Sequence, residues 1–203
     1  MKKYILPIII FDALLLSLCN SNHSSKEAIE KEKLNTKNKQ DININIHKYS
    51  KDTNYKGVIV IPEQMAFCIL DSASPKEASS KMEVNYSKIL KDIEFTKVEV
   101  DEYPGCIFYS NQPDKIVFET FFLLKTKPQK KPRYSNPVIL EKTLGLLYDH
   151  YGTFNTIHQS YNKIKSILEQ EGYVQSGPTR EIYILNDDTA KWRTRIIIPI
   201  TKK

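Results

Sequence analysis

Glu181 is the residue whose chemistry is most conspicuous in this chain. It stands in Gly177-Pro178-Thr179-Arg180-Glu181-Ile182-Tyr183-Ile184-Leu185, a run of β-branched and aromatic residues that reads as a strand. Alternation puts Glu181, Tyr183 and Leu185 on one face and Arg180, Ile182 and Ile184 on the other. A carboxylate within an apolar strand is costly to bury unless something satisfies it. Two environments are open to it. It can lie on a solvated face, paired with Arg193 or Arg195 across a hairpin, or it can be the charged centre of a site. In the second case Tyr183, Trp192, Tyr148, Phe108 and Phe118 are the candidate walls. Rings around one carboxylate suit a lipophilic cation, through dispersion, cation–π attraction and charge. A buried Glu181 with a raised pKa could also act as a general base on water.

Other chemistries find no pattern. His23, His47, His150 and His158 are not grouped at ligand spacing with cysteines or acids, so neither a metal nor another cofactor is expected. His150 reads as a brace for the turn before a helix. A Gly-x-Ser-x-Gly nucleophile motif is missing. Cys68 and Cys106 both fall in apolar strand-like runs. A disulfide is allowed if the protein is exported, and buried free thiols are the preferred reading.

The elements that would position Glu181 form an internal repeat. In the first half, a strand at 58–60 is broken by Pro62 and resumes at 65–70. A helix follows over 78–93, with Ser74 as a candidate cap. Residues 98–100 are a connector or short strand, and 105–109 and 116–124 are strands flanking a turn at 111–114. The second half repeats the order. A broken strand covers 137–140 and 144–148, a helix covers 156–169 and stops at Gly172, and a hairpin follows with arms 177–185 and 192–200. Residue types match across the halves. Tyr86-Ser87-Lys88-Ile89 parallels Tyr161-Asn162-Lys163-Ile164, and Cys106 falls where the second half has Glu181. The expected fold is α+β: duplicated β-α-β-β units, about 57–125 and 134–201, forming an antiparallel sheet with helices on one side. A ligand groove is expected at the pseudo-twofold seam, on the face away from the helices. Chance similarity between two α+β halves is the alternative.

Three motifs in order carry a family resemblance. Gly177-Pro178-x-x-Glu181-x-Tyr183 is followed by Trp192-x-Thr194-x-Ile196-x-Ile198-Pro199-Ile200, and upstream stands His150-Tyr151-Gly152-Thr153-Phe154. Together they resemble GyrI-like domains, which also serve as effector-binding domains of AraC-type and MerR-type multidrug regulators. The resemblance runs from about Gly57 to the C-terminus and is strongest after Asn136. It implies a small-molecule-binding module, more a binder than an enzyme, with Glu181 as the central ligand carboxylate. Some relatives hydrolyse strained cyclopropane-type electrophiles with this Glu and an aromatic partner. That implies a hydrolase alternative using Glu181 with Tyr183 or Trp192. A SOUL-like tetrapyrrole binder is a further alternative, disfavoured by the lack of a well-placed histidine. Where many relatives carry an acid this chain has Arg195, so Arg195 is expected to share the groove if it points there, pairing with Glu181 and blunting a preference for cations.

The N-terminal third reads differently. Met1-Lys2-Lys3 and the apolar run Tyr4 to Leu18 have the layout of a secretory signal, too short for a comfortable transmembrane helix. Leu16-Ser17-Leu18-Cys19 resembles a bacterial lipobox, with Cys19 as the lipidation site; an uncleaved anchor is the alternative. The expected division is 1–19 signal segment, 20–55 polar tether and 56–203 domain. The expectation is a monomeric lipoprotein, membrane-tethered at the cell envelope on its periplasmic or extracellular face. The net charge of +6 is modest, and no nucleic-acid reader is visible. The basic run from Lys125 to Arg133 contains two prolines and reads as a solvated linker.

Overall fold

The computed structural model describes residues 52–184, 188 and 191–203, apart from the side chains of Glu102 and Asn111. The signal segment, Cys19 and nearly all of the tether lie outside the described residues, as do Leu185 and most of the hairpin connector. In chain order the elements are β1 (Tyr55–Ile61), β2 (Gln64–Ala73), α1 (Ala78–Thr96), β3 (Val100–Asn111), β4 (Ile116–Leu124), β5 (Asn136–Leu140), β6 (Thr143–Tyr151), α2 (Ile157–Glu171), β7 (Tyr173–Gln175), β8 (Thr179–Ile184) and β9 (Arg193–Lys202). A short 3-10 turn at Phe154–Thr156 leads into α2.

The strands form one antiparallel sheet in the order β1-β6-β9-β8-β3-β4-β2-β5, with short β7 added along β9. The order is a palindrome of the repeat. β3 and β8 pair at its centre, β4 and β9 flank them, then β2 and β6, and β5 and β1 close the ends. The repeat expected from the sequence is therefore real, with one correction. The "broken first strand" of each half is two strands placed at opposite ends of the sheet. β1 pairs with β6 of the second half, and β5 pairs with β2 of the first. Each half thus lends its first strand to the other.

The connectors explain the sheet's shape. Only Pro62-Glu63 joins β1 to β2, and only Glu141-Lys142 joins β5 to β6. Three Cα steps of about 3.8 Å span at most ~11 Å. The two ends of the sheet must approach that closely, so the sheet curls. Its inner face closes on itself around Ala66, Ile107, Phe121, Leu123 and Leu140 on one side and Ile61, Leu147 and Ile197 on the other, with Ile182 touching both groups. Gly105 is required there. A Cβ on it would lie 2.2 Å from the Phe121 ring and 2.7 Å from the Glu181 carbonyl oxygen.

The outer face is covered by the helices. α1 buries Ala78, Met82, Asn85, Tyr86, Ile89, Asp92 and Thr96, a stripe at three- and four-residue spacing. It packs on β2 and β4, while α2 packs on β6 and β7. The two helices therefore sit astride the β3–β8 seam. Beneath them lies the main core, which includes Phe67, Phe118, Phe122, Leu146, Ile196 and Ile198. Each such side chain contributes roughly 1.5–3 kcal/mol by leaving water. α1 runs three residues past the expected end and stops at Lys97, φ +60°, where α2 stops at Gly172, φ +69°. Ser74 does not cap α1; its hydroxyl donates to the Glu77 carboxylate at 2.7 Å instead.

His150 does brace the turn before α2: its Nε2 donates to the Thr153 carbonyl at 3.0 Å, which leaves Nδ1 to accept from the Ser160 hydroxyl at 2.9 Å. Burial keeps its pKa below the usual value, favouring the neutral ring this arrangement needs. Cys68 and Cys106 are both buried free thiols, and they project to opposite faces of the sheet. The run before β5 is not a solvated linker throughout: its end docks on α1 through Asp92.

Candidate functional site

Strand alternation on β8 sends Glu181 and Tyr183 to the outer face. Across the ladders Glu181 lies opposite Cys106 of β3 and Ile196 of β9. It is 4% exposed. One carboxylate oxygen accepts a short hydrogen bond from the Tyr161 hydroxyl of α2. The other accepts from the Tyr183 hydroxyl at 2.9 Å. Because Tyr161 comes from a helix, Glu181 faces the helix layer. At the seam, the face away from the helices, where the groove was expected, carries Ile107, Ile182 and Ile197 and not Glu181.

Neither arginine expected near Glu181 reaches it. Arg195 stands opposite Ile182, on the inner face, and is held by Asp149, with Nε–Oδ1 at 2.9 Å and an Nη2–Oδ2 bond at 3.2 Å. Arg193 lies 3.7 Å from the same carboxylate. Among the described residues no Lys, Arg or His pairs with Glu181. Burial therefore raises its pKa, and the hydrogen bonds from Tyr161 and Tyr183 only partly oppose the rise. The Tyr161 and Tyr183 hydroxyls are pushed well above their ordinary value, first by burial and then by the nearby carboxylate.

The candidate walls separate into distinct groups. Tyr183 packs edge-on to Phe154, with ring centroids 5.5 Å apart, and Phe154 in turn packs against Trp192 at 6.0 Å. Phe108 sits opposite Thr179, toward the other end of the seam, with buried Phe118 one strand beyond. Tyr148 shares the transverse row of Glu181 but lies two strands away, about 10 Å at ordinary strand spacing. Its hydroxyl donates to Asp52 at 2.8 Å. The structure thus gathers Glu181, Tyr183 and, through Phe154, Trp192; it places Phe108 and Phe118 at the far end of the seam and Tyr148 outside hydrogen-bonding range.

Sequence reasoning passed over Tyr161 and Phe154 as site residues. The repeat contained the missing signal. Tyr161 aligns with Tyr86, and the two occupy equivalent places on α2 and α1. Tyr86 meets no carboxylate in its own half, because Cys106 stands there, and donates instead to the Gly105 carbonyl at 2.9 Å. Tyr183 has Phe108 as its counterpart, which lacks a hydroxyl. One half holds a carboxylate and two phenols; the other holds a thiol, one phenol and a phenyl ring.

The family model described as GyrI-like small molecule binding domain matches residues 58–201. The chain belongs to the GyrI-like family. Solved structures agree on the fold of this GyrI-like domain. The crystal structure of the EcmrR C-terminal domain superposes with a TM-score of 0.63 at 15% identity, covering 73% of this chain and 99% of that one. EcmrR in a cryo-EM complex with DNA gives 0.64 at 16% identity, covering 74% of this chain; the chain spans 59% of that EcmrR chain. SAV2435 bound to tetraphenylphosphonium gives 0.52 at 12% identity, covering 72% and 93%. No curated protein matches the sequence.

Proposed function

We propose that this GyrI-like domain captures or senses a small, partly apolar cation, with Glu181 as the charge centre. One observation carries the reading: Glu181 is a buried carboxylate held by two tyrosine hydroxyls with no cation beside it among the described residues. Two neutral donors orient the carboxylate but do not neutralise it. A cationic ligand arriving from the seam would supply the missing charge in a setting where screening is weak. Tyr183, Phe154 and Trp192 offer ring faces and edges to its apolar groups, and Phe108 and Phe118 do so toward the other end of the seam. That SAV2435, a protein of similar fold, has been solved with tetraphenylphosphonium supports the choice of a lipophilic cation.

The chain has 1 tryptophan, so its fluorescence reports on the site directly. Titration with tetraphenylphosphonium is expected to change Trp192 emission saturably. Glu181→Gln should weaken binding by about 1.5–3 kcal/mol, the scale of a charge-assisted hydrogen bond. Equal affinity of the two proteins would overturn the reading.

The protein is further proposed to act as a monomer held at the cell envelope by its N-terminal segment, with Cys19 lipidated. The support is the basic start, the apolar run and the lipobox-like ending of the sequence. Cys19→Ala should change the mass of the mature form and its partition into membranes; an unchanged mass and partition would remove lipidation.

A further inference from the structure

The basic run between the repeats plays no part in the site, yet the fold holds its end in one place. The Asp92 carboxylate of α1 accepts the backbone N–H groups of Arg133 at 2.8 Å, Tyr134 at 2.9 Å and Ser135 at 2.7 Å, and the Ser135 hydroxyl at 2.8 Å. Arg133 then stacks on the Phe95 ring, 3.8 Å from its centroid, and Lys130 Nζ lies 5.5 Å from it. Phe95 ends an α1 stripe made of Val84, Lys88, Lys91 and Phe95, at helical spacing of four, three and four residues. Val84, Lys88 and Lys91 are exposed, as are Lys130, Lys131 and Arg133 beside them.

Two of the nearby acids are engaged. Asp92 is buried under backbone donors, and Asp101 faces Lys125 at 3.6 Å. Glu83, Glu94 and Glu99 remain exposed at the margin. The result is a surface of five cations, Lys88, Lys91, Lys130, Lys131 and Arg133, interleaved with Val84 and Phe95 and flanked by Tyr134, which is 53% exposed. Cations with long apolar stems around a few apolar groups match an anionic bilayer surface, where heads meet lipid phosphates and stems and rings reach the interface.

We propose that this α1 face docks on anionic membrane. The N-terminal sequence agrees with that occupant. Fifty-one residues precede the described domain, and their apolar run at 4–18 is read as a secretory signal ending at the lipidation candidate Cys19. Docking by α1 would set the domain's orientation, with α1 toward the lipid and the residues that lead into the tether, near α2, at its side.

The test uses the full chain and vesicle co-sedimentation. Binding to phosphatidylcholine vesicles containing about 30% phosphatidylglycerol should be at least about tenfold tighter than to phosphatidylcholine alone at low salt, and the gap should close near 0.5 M salt. A lipid on Cys19, or the apolar run if it is retained, would insert into both vesicles alike and so does not create the gap. Lys88→Glu/Lys130→Glu/Lys131→Glu, all at exposed positions, should abolish the gap while leaving tetraphenylphosphonium affinity and melting temperature unchanged. Equal binding to both vesicles, a gap that survives the triple variant, or preferential capture of duplex DNA over anionic vesicles would overturn the proposal.

Discussion

Cys106 and Glu181 face each other directly across the β3–β8 ladder, and they are the same position of the two repeats. The pseudo-twofold axis therefore passes between them. A residue at this position meets its own counterpart, with Cα atoms about 4.5–5.5 Å apart. A glutamate in both halves would place two buried carboxylates side by side, so duplication alone would have made the seam unstable. A small neutral thiol in one half relieves the repulsion and leaves a single charge.

Cys106→Glu should therefore destabilise the domain by roughly 2–4 kcal/mol at pH 7, the scale of an uncompensated buried charge. Like charge and burial both raise the two carboxyl pKa values. A carboxyl whose folded pKa is raised stabilises fully only below its unfolded value and loses that as pH rises. The deficit should accordingly shrink toward pH 4.5. Urea melts at both pH values measure it; an equal deficit at both would show that volume, not charge, is at fault.

Glu181→Gln follows the same sign. The wild-type carboxyl is raised by burial, so its folded form is least penalised in acid and most penalised at neutral pH. The glutamine variant should be at least as stable as wild type at pH 7, and its advantage should fade below about pH 4.5, near the unfolded carboxyl value. A variant less stable at pH 7 would mean that the Tyr161 and Tyr183 bonds outweigh the cost of burying charge.

The fold was legible where residue types repeat. Tyr86 with Tyr161, and Cys106 with Glu181, mark equivalent places, and periodicity located both helices. The strand exchange was not legible, because nothing in Pro62-Glu63 says whether the chain continues beside its last strand or crosses to the far end of a curled sheet. The side of the site was missed for a related reason. Alternation assigns Glu181 and Tyr183 to one face but does not say which face the helices cover. Arg195 looked like a partner for Glu181 because both lie on the hairpin; register puts it opposite Ile182, and so on the other face.

The helix ends give an independent test of the duplication. Lys97 and Gly172 close α1 and α2 in the same left-handed conformation. An L-residue there costs roughly 1–2 kcal/mol, and glycine does not. Lys97 is exposed. Lys97→Gly should stabilise by about 0.5–1 kcal/mol after the extra unfolded-state entropy of glycine is subtracted. Gly172→Ala should cost about 1 kcal/mol, purely through backbone, since a Cβ there meets nothing within 4 Å. If both substitutions are neutral, the caps are not held in this conformation in solution.

The fold reaches further toward the N-terminus than its first strand. The expected start was residue 56, and the family match begins at 58, yet Asp52 already packs on the fold. It accepts the Tyr148 hydroxyl at 2.8 Å and the Asn54 N–H at 3.0 Å, and Lys163 of α2 lies 3.3 Å away. Burial pushes its carboxyl up, but these donors outweigh it and hold the pKa below the usual value. Without Asp52 the hydroxyl of Tyr148, a fully buried residue, loses its acceptor. A chain beginning at residue 54 should melt lower than one beginning at residue 50, by about 1–2 kcal/mol or roughly 3–6 °C. A depressed carboxyl stabilises above its unfolded value and loses that stabilisation as pH falls through the folded one. The difference between the two chains should therefore be full at pH 7 and shrink below about pH 4. Tyr148→Phe in the longer chain should remove most of it at any pH. Identical melting of the two chains at pH 7 would move the boundary back inside β1 and make Asp52 part of the tether.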